Sequence, residues 1–297
     1  MGHFFEMLRN SAPGRAVRNA PSVAKLIVNP TIPAARKRAC LDFYFSGAGI
    51  RRIFATLPRS GFHYMALMVD VALDLNAGGS GAYRYCGGVF RSQGGRHDVA
   101  LDWRWKLGQL AYEPVQPCVF HTHMPYYRNT CWALPDMRTV VLVRNVWDTV
   151  ESLINYHDIT PDEYDAFLMG RQRGGKRPDF PFNFQEVLRF FNSWGTVLRR
   201  DNVTALRYED LVRNPAAEVM RVATLWELDI PRGCIEQAVQ LCSKENMKSK
   251  LAEAEVEATR RVRFEKTNIE FTDGQLDYMR RRLQGGRYTD FGYALEP

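Results

Sequence analysis

Arginine, serine and glycine follow one another at Arg59, Ser60 and Gly61, inside the stretch LPRSGFHYM, where a short apolar run gives way to residues with helical spacing. A strand end, a tight turn and a helix start leave backbone N–H groups unpaired, and the helix dipole adds positive potential. Such a place suits a phosphate or sulfate group. There Gly61 lets the backbone approach the anion, Ser60 offers a hydroxyl and Arg59 offers a charged fork. A second arginine, Arg144, ends the apolar run Thr139 to Val143 in the same way. A histidine, His123, follows the apolar run PCVF and stands beside Pro125, Tyr126 and Tyr127. A lone histidine is ordinarily a hydrogen-bonded core or surface residue; the position of this one, just past an apolar run, favours a chemical role.

The anion this pattern would take is not the triphosphate of a P-loop enzyme. That motif, G-x-x-x-x-G-K-S/T, needs a first glycine and a lysine that the turn lacks, and no G-x-G-x-x-G follows any expected strand. The six cysteines include no C-x-x-C pair, so neither a zinc site nor a disulfide framework is expected. The net charge of +7 is dispersed in small clusters, Arg171 to Arg177 and Arg280 to Arg282 among them. With no nucleic-acid module in view, solvated helix faces and one small polyanionic ligand account for it, and no nucleic acid is expected as partner.

The elements that must position these residues are strand-to-helix units: Ile53 to Leu75, Thr139 to Tyr156 and Val203 to Trp226. Strands alternating with helices predict an α/β fold, a mostly parallel sheet with helices on both faces. Pro215 marks a helix start in the third unit. The glycine-rich segment Leu75 to Val99 and the Gly-, Pro- and Arg-rich segment Thr160 to Pro181 are expected to be surface loops, with a lid as the alternative for the second. Residues 1–47 lack sustained periodicity and are read as an N-terminal extension; residues 48–297 are read as a single domain. No apolar run is long enough for a membrane span, and no signal-peptide core opens the chain, so a cytoplasmic location is expected.

Taken together these motifs resemble the sulfotransferases that use 3′-phosphoadenosine 5′-phosphosulfate (PAPS). LPRSGFHYM is similar to their 5′-phosphosulfate loop, and VLVRNVWDTVESLINY to their 3′-phosphate element, which places Arg144 and Ser152 on the 3′-phosphate. LRYEDLVRNP resembles the segment whose tyrosine contacts adenine, here Tyr208, and CSKENMKSK a further adenine-side element that includes Cys242. FHTHMPYY resembles the catalytic segment, with His123 on the general base and His121 on the family's lysine. The order and spread of these matches imply a nucleotide-kinase-like sulfotransferase fold.

The resemblance implies that Arg59, Ser60, Gly61, Phe62, His63, Tyr64, Arg144, Ser152, Tyr208, Cys242, Arg260 and Arg261 bind PAPS and its product PAP. There are departures. Phe62 and His63 replace a hydroxyl pair, Tyr64 stands where the family has a stacking tryptophan, and Cys242 and Lys244 replace threonine and phenylalanine. Arg260 and Arg261 fall on a basic pair whose flanking glycines are absent. Arg59, with help from His121, would meet charge developing on the leaving phosphate. Tyr126, Tyr127 and Trp132, with Trp103 and Trp105, would line an acceptor pocket or belong to the core. The expected reaction is sulfuryl transfer to a hydroxyl or amine of a small molecule, with no metal required, and self-association is compatible with it. A carbohydrate acceptor, a nucleotide kinase-like enzyme using ATP and Mg²⁺, and a non-catalytic nucleotide-binding protein are the alternatives.

Overall fold

A computed structural model describes residues 52–81, 90–91, 119–123, 125–126, 138–171, 182–243, 245–246 and 269–296. Among the described residues five strands form one sheet in the order β2-β3-β1-β4-β5. They are β1 (Arg52–Thr56), β2 (Phe90–Arg91), β3 (Val119–Thr122), β4 (Arg138–Val143) and β5 (Val203–Arg207). Every pairing is parallel, with Ile53 opposite Phe120 on one side of β1 and opposite Thr139 on the other. The expected α/β class is therefore the observed one.

Apolar residues continue along β1 and β4 without alternating with polar ones because both faces of the sheet are covered. Period two sorts them. Ile53, Ala55, Val141 and Val143 face one core, while Phe54, Val140 and Leu142 face the other. The first core is closed by α2 (Val146–His157), α3 (Tyr164–Met169), α4 (Phe184–Gly195) and α8 (Asp273–Gln284), with Phe184, Phe191 and Trp194 fully buried. The second is closed by α1 (Phe62–Asn76), α6 (Pro215–Leu225) and α7 (Arg232–Leu241), around Met65, Met68 and Trp226. A six-residue helix, α5 (Tyr208–Arg213), follows β5 directly.

Two loop expectations are corrected. The first half of Thr160 to Pro181 is a 3₁₀ turn, Pro161–Glu163, running into α3. Thr160 and Glu163 form a reciprocal capping box with Pro161 at the first turn, and Tyr164, Phe167 and Leu168 supply the i, i+3, i+4 apolar face that burial rewards. The second half, 172–181, lies outside the described residues. Within Leu75 to Val99, Phe90 and Arg91 form β2, drawn into the sheet by pairing with Val119 and Phe120. Residues 1–51 lie outside the described residues.

Candidate active site

In a parallel sheet all strands end at the same edge, and a crevice opens where successive connections leave in opposite directions. Here that point is β1, with β3 on one side and β4 on the other. The residues after β1, β3, β4 and β5 are, respectively, the Arg59–Gly61 turn, His123, Arg144 and Tyr208. Sequence elements far apart thus meet at one rim because each follows a strand of one parallel sheet.

The turn after β1 is left-handed at two positions, Arg59 with φ 65° and Gly61 with φ 95°. For Arg59 that conformation carries a strain of about 1–3 kcal/mol. Two contacts on α2 hold its side chain in place: Nε donates to Ser152 Oγ at 3.1 Å, and the guanidinium lies 4.7 Å above the Tyr156 ring. Ser60 is fully buried, and its hydroxyl points to the Leu57 and Leu142 carbonyl oxygens. These contacts let Ser60 fix the turn. Gly61 is the N-cap of α1 and brings no side chain to that helix end, whose first-turn amides follow at Phe62, His63 and Tyr64.

The α2 start is built differently. Asn145 Oδ1 accepts from Trp147 N–H at 2.9 Å, Glu209 Oε1 accepts from Asn145 N–H at 2.8 Å, and the Tyr288 hydroxyl accepts from Val146 N–H at 3.3 Å. These side chains occupy the amides of α2, so α1 is the helix end suited to an anion, and the β4–α2 turn contributes the Arg144 side chain instead. Arg144 is mostly buried, with its guanidinium 4.9 Å from the Tyr208 ring centroid. Among the described residues its head is held at longer range, to the Arg59 carbonyl at 3.4 Å and Asp148 at 3.5 Å, and its buried Nε has no hydrogen-bond partner there. Tyr64 lies close enough to Tyr208 and Cys242 that burial, then those two neighbours and Glu245, push its hydroxyl pKa upward. Cys242 is buried at the end of α7.

His123 is tied to the last residue of β1. Its Nδ1 lies 2.9 Å from the Thr56 carbonyl oxygen and 3.0 Å from Thr56 Oγ1. A carbonyl oxygen only accepts, so Nδ1 carries the hydrogen, and in the neutral ring the lone pair is then on Nε2. That is the tautomer a general base needs. Thr56 Oγ1 also contacts His121 Nε2 at 2.7 Å, and the His121 ring stacks on Phe62 with centroids 3.6 Å apart and planes 12° from parallel. His121 is therefore packed inside the site wall, 4% exposed. The rings of Phe182 and His123 meet edge to face, with centroids 5.9 Å apart. Tyr126 is half-buried, donates its N–H to Ser193 Oγ at 2.8 Å and packs on Trp194, so it adjoins the first core.

Of the residues expected from sequence, Arg59, Ser60, Gly61, Phe62, His63, Tyr64, His121, His123, Arg144, Ser152, Tyr208 and Cys242 fall on this rim or against it. Tyr127, Trp132, Trp103, Trp105, Lys244, Arg260 and Arg261 lie outside the described residues. Sequence reasoning missed Thr56, Phe182, Glu209, Tyr288 and Tyr293. A threonine ending a buried strand and an acid directly after Tyr208 were the available signals for two of them; the others carry none. Among the described residues no helix is long and apolar enough to cross a membrane.

Comparison with known proteins gives a consistent result. The sulfotransferase domain family matches residues 104–280, more than half of the chain, beginning after the Arg59–Gly61 turn. Cytosolic sulfotransferase 15 of Arabidopsis thaliana is 26% identical over 217 residues, covering 66% of this chain and 58% of that protein. The match thus spans less than two thirds of that relative's length. Among solved structures, mouse sulfotransferase SULT7A1 complexed with PAP superposes with a TM-score of 0.57 at 18% identity, over 83% of this chain and 87% of that one. Retinol dehydratase, in complex with androsterone and PAP, gives 0.51 at 16% identity, over 80% and 79%. At these identities the two structures bear on the fold.

Proposed function

The chain belongs to the sulfotransferase domain family, and from that premise we propose that it transfers a sulfuryl group from PAPS to a hydroxyl or amine of a small-molecule acceptor, with His123 as general base. The observation that carries the reading is the geometry of His123, whose Nδ1 is committed to the Thr56 carbonyl, which puts the lone pair of the neutral ring on Nε2, beside a helix end suited to an anion. PAP is the nucleotide in both solved neighbours, and the proposal extends that ligand to this chain.

When bound, PAPS supplies the sulfuryl group, which leaves the phosphate oxygen for the acceptor atom as PAP forms. The chain supplies position, charge and a base. His123 Nε2 takes the acceptor proton, and Thr56 keeps the ring in the required tautomer. The amides of Phe62 and His63, with Arg59, meet the negative charge on the 5′ side. Arg144 and Ser152 face the 3′-phosphate, and Tyr64 and Tyr208 take the adenine side, with Cys242 behind them. The buried Arg144 Nε, which has no hydrogen-bond partner among the described residues, and the α1 N-terminus, which no side chain caps, fit an anionic nucleotide. His121 supports His123 through their shared partner Thr56, a positioning role in place of the charge-stabilising one expected of it. Arg260 and Arg261 complete the nucleotide grip in this reading, and Tyr126, Tyr127, Trp132 and Phe182 line the acceptor side. No step asks for a metal. Residues 48–297 form the catalytic domain, 1–47 an extension, and the setting is cytoplasmic.

Calorimetric titration with PAP, beside ATP and 5′-AMP, tests the reading. Tight PAP binding that depends on the 3′-phosphate and weakens in Arg144→Ala supports it. Absence of PAP binding, or preference for ATP with Mg²⁺, overturns it in favour of a kinase-like or other anion-binding role.

A further inference from the structure

Segment Arg287–Tyr293, which follows α8 and includes a 3₁₀ turn at Tyr288–Phe291, is bound to the two turns that carry Arg144 and Tyr208. The Tyr293 hydroxyl donates to Glu209 Oε2 at 2.6 Å, and the other oxygen of Glu209 takes the Asn145 N–H at 2.8 Å. One carboxylate therefore joins residue 209, next to Tyr208, to residue 145, next to Arg144. The Tyr288 ring stacks on Tyr293 at 5.1 Å, and its hydroxyl takes the Val146 N–H. Arg207 lies 4.7 Å over the Tyr293 ring and donates through Nη1 to the Gly292 carbonyl at 3.1 Å. Gly292 is left-handed at φ 79°, and a Cβ there would stand 3.4 Å from Arg207 Nη1. Burial and the Glu209 hydrogen bond both raise the Tyr293 hydroxyl pKa, which keeps it a donor.

The contrast with the Arg144 head is informative. Its own polar side-chain contacts are long, at 3.4 and 3.5 Å, whereas the amide next to it, Asn145 N–H, is held by Glu209 at 2.8 Å. The clasp thus holds the residues that directly follow Arg144 and Tyr208, the two partners of that contact.

We propose that the Glu209–Tyr293 clasp is a positioning element that sets the Arg144–Tyr208 spacing, and with it the selectivity for a nucleotide carrying a 3′-phosphate. The inference rests on the nucleotide reading above. A purely structural role for the clasp would change affinity for all adenine nucleotides alike; a positioning role changes their ratio.

The test is calorimetry of the full chain with PAP and with 5′-AMP, for the unaltered protein, Tyr293→Phe and Glu209→Gln, each checked by circular dichroism. Tyr293→Phe keeps the ring and every charge and removes only the hydroxyl. The expected result is a fall of about tenfold in PAP affinity with little change for 5′-AMP, the scale of one lost hydrogen bond to a charged group. Glu209→Gln is expected to lower the PAP to 5′-AMP ratio in the same direction. If the unaltered protein prefers PAP and both folded variants keep that preference, the clasp is overturned and the nucleotide reading stands. If the unaltered protein shows no preference for PAP, the nucleotide reading fails and the clasp's assigned role fails with it.

Discussion

The ring of Tyr208 occupies the space that a side chain on residue 61 would need: a Cβ at Gly61 would stand 2.5 Å from Tyr208 Cδ2. The glycine is thus required twice, once for its φ of 95° and once for the aromatic face that closes over it. Gly61→Ala is expected to push Tyr208 off the turn, loosening its stack with Arg144, and to abolish measurable PAP binding. Left-handed strain alone accounts for about 1–2 kcal/mol. Thermal unfolding and PAP titration of the variant check this; unchanged PAP affinity would mean that the ring has another seat.

Replacing His123 separates chemistry from binding. His123→Ala is expected to lower kcat by about 10²–10⁴-fold, the usual contribution of a positioned general base, while PAP affinity stays within about twofold. Steady-state kinetics with an accepted substrate, beside calorimetry, measures both. A variant with undiminished turnover would exclude His123 as the base.

Arg144 is assigned to the 3′-phosphate, so its loss should be felt only by nucleotides that carry one. Arg144→Ala is expected to weaken PAP by about ten- to a hundredfold, as for a charge-assisted hydrogen bond of roughly 1.5–3 kcal/mol, and to leave 5′-AMP nearly unaffected. Equal loss for both nucleotides would contradict the assignment.

Alkaline stability follows from the tyrosines of the clasp. Burial pushes the Tyr288 hydroxyl up to about 12 from 10.0, and Tyr293 is raised as well. A raised folded-state pKa means that the folded chain holds its proton after the unfolded chain has lost it. The stabilisation is complete below pH 10 and is lost as pH climbs toward 12. Urea midpoints measured across that window are expected to fall with pH, and to fall less steeply in Tyr288→Phe. A flat profile in the unaltered protein would show that these hydroxyls are not protected by the fold.

The strand-to-helix units were legible because each rests on a local pattern: Thr139 to Val143 is continuous and apolar, and Pro215 sits where a helix can begin. Their boundaries moved by a residue or two, as with β1, observed at Arg52–Thr56, because hydrogen-bond partners across the sheet decide where a strand ends. Arg59, Gly61, His123 and Arg144 were legible as strand-end residues of charged, flexible or basic type. Thr56 was not, because its role depends on a neighbouring strand placing His121 and His123 beside it. Glu209 and Tyr293 were invisible for the same reason: nothing local in YED or FGY says that they meet. Ser60 was legible as a ligand from its place in the turn and from the resemblance, while its contacts with the Leu57 and Leu142 carbonyls are visible only in the fold.

The sheet order also bears on how the chain is made. β1 is central, yet its partners are Phe120 to Thr122 and Arg138 to Leu142, both distant in sequence. While synthesis proceeds from β1 toward β4, an apolar strand must wait with both edges bare, since pairing distant segments is slow and exposed strands are prone to aggregate. Production of this protein is therefore expected to depend on translation speed, temperature and chaperone supply more than its stability once folded would suggest.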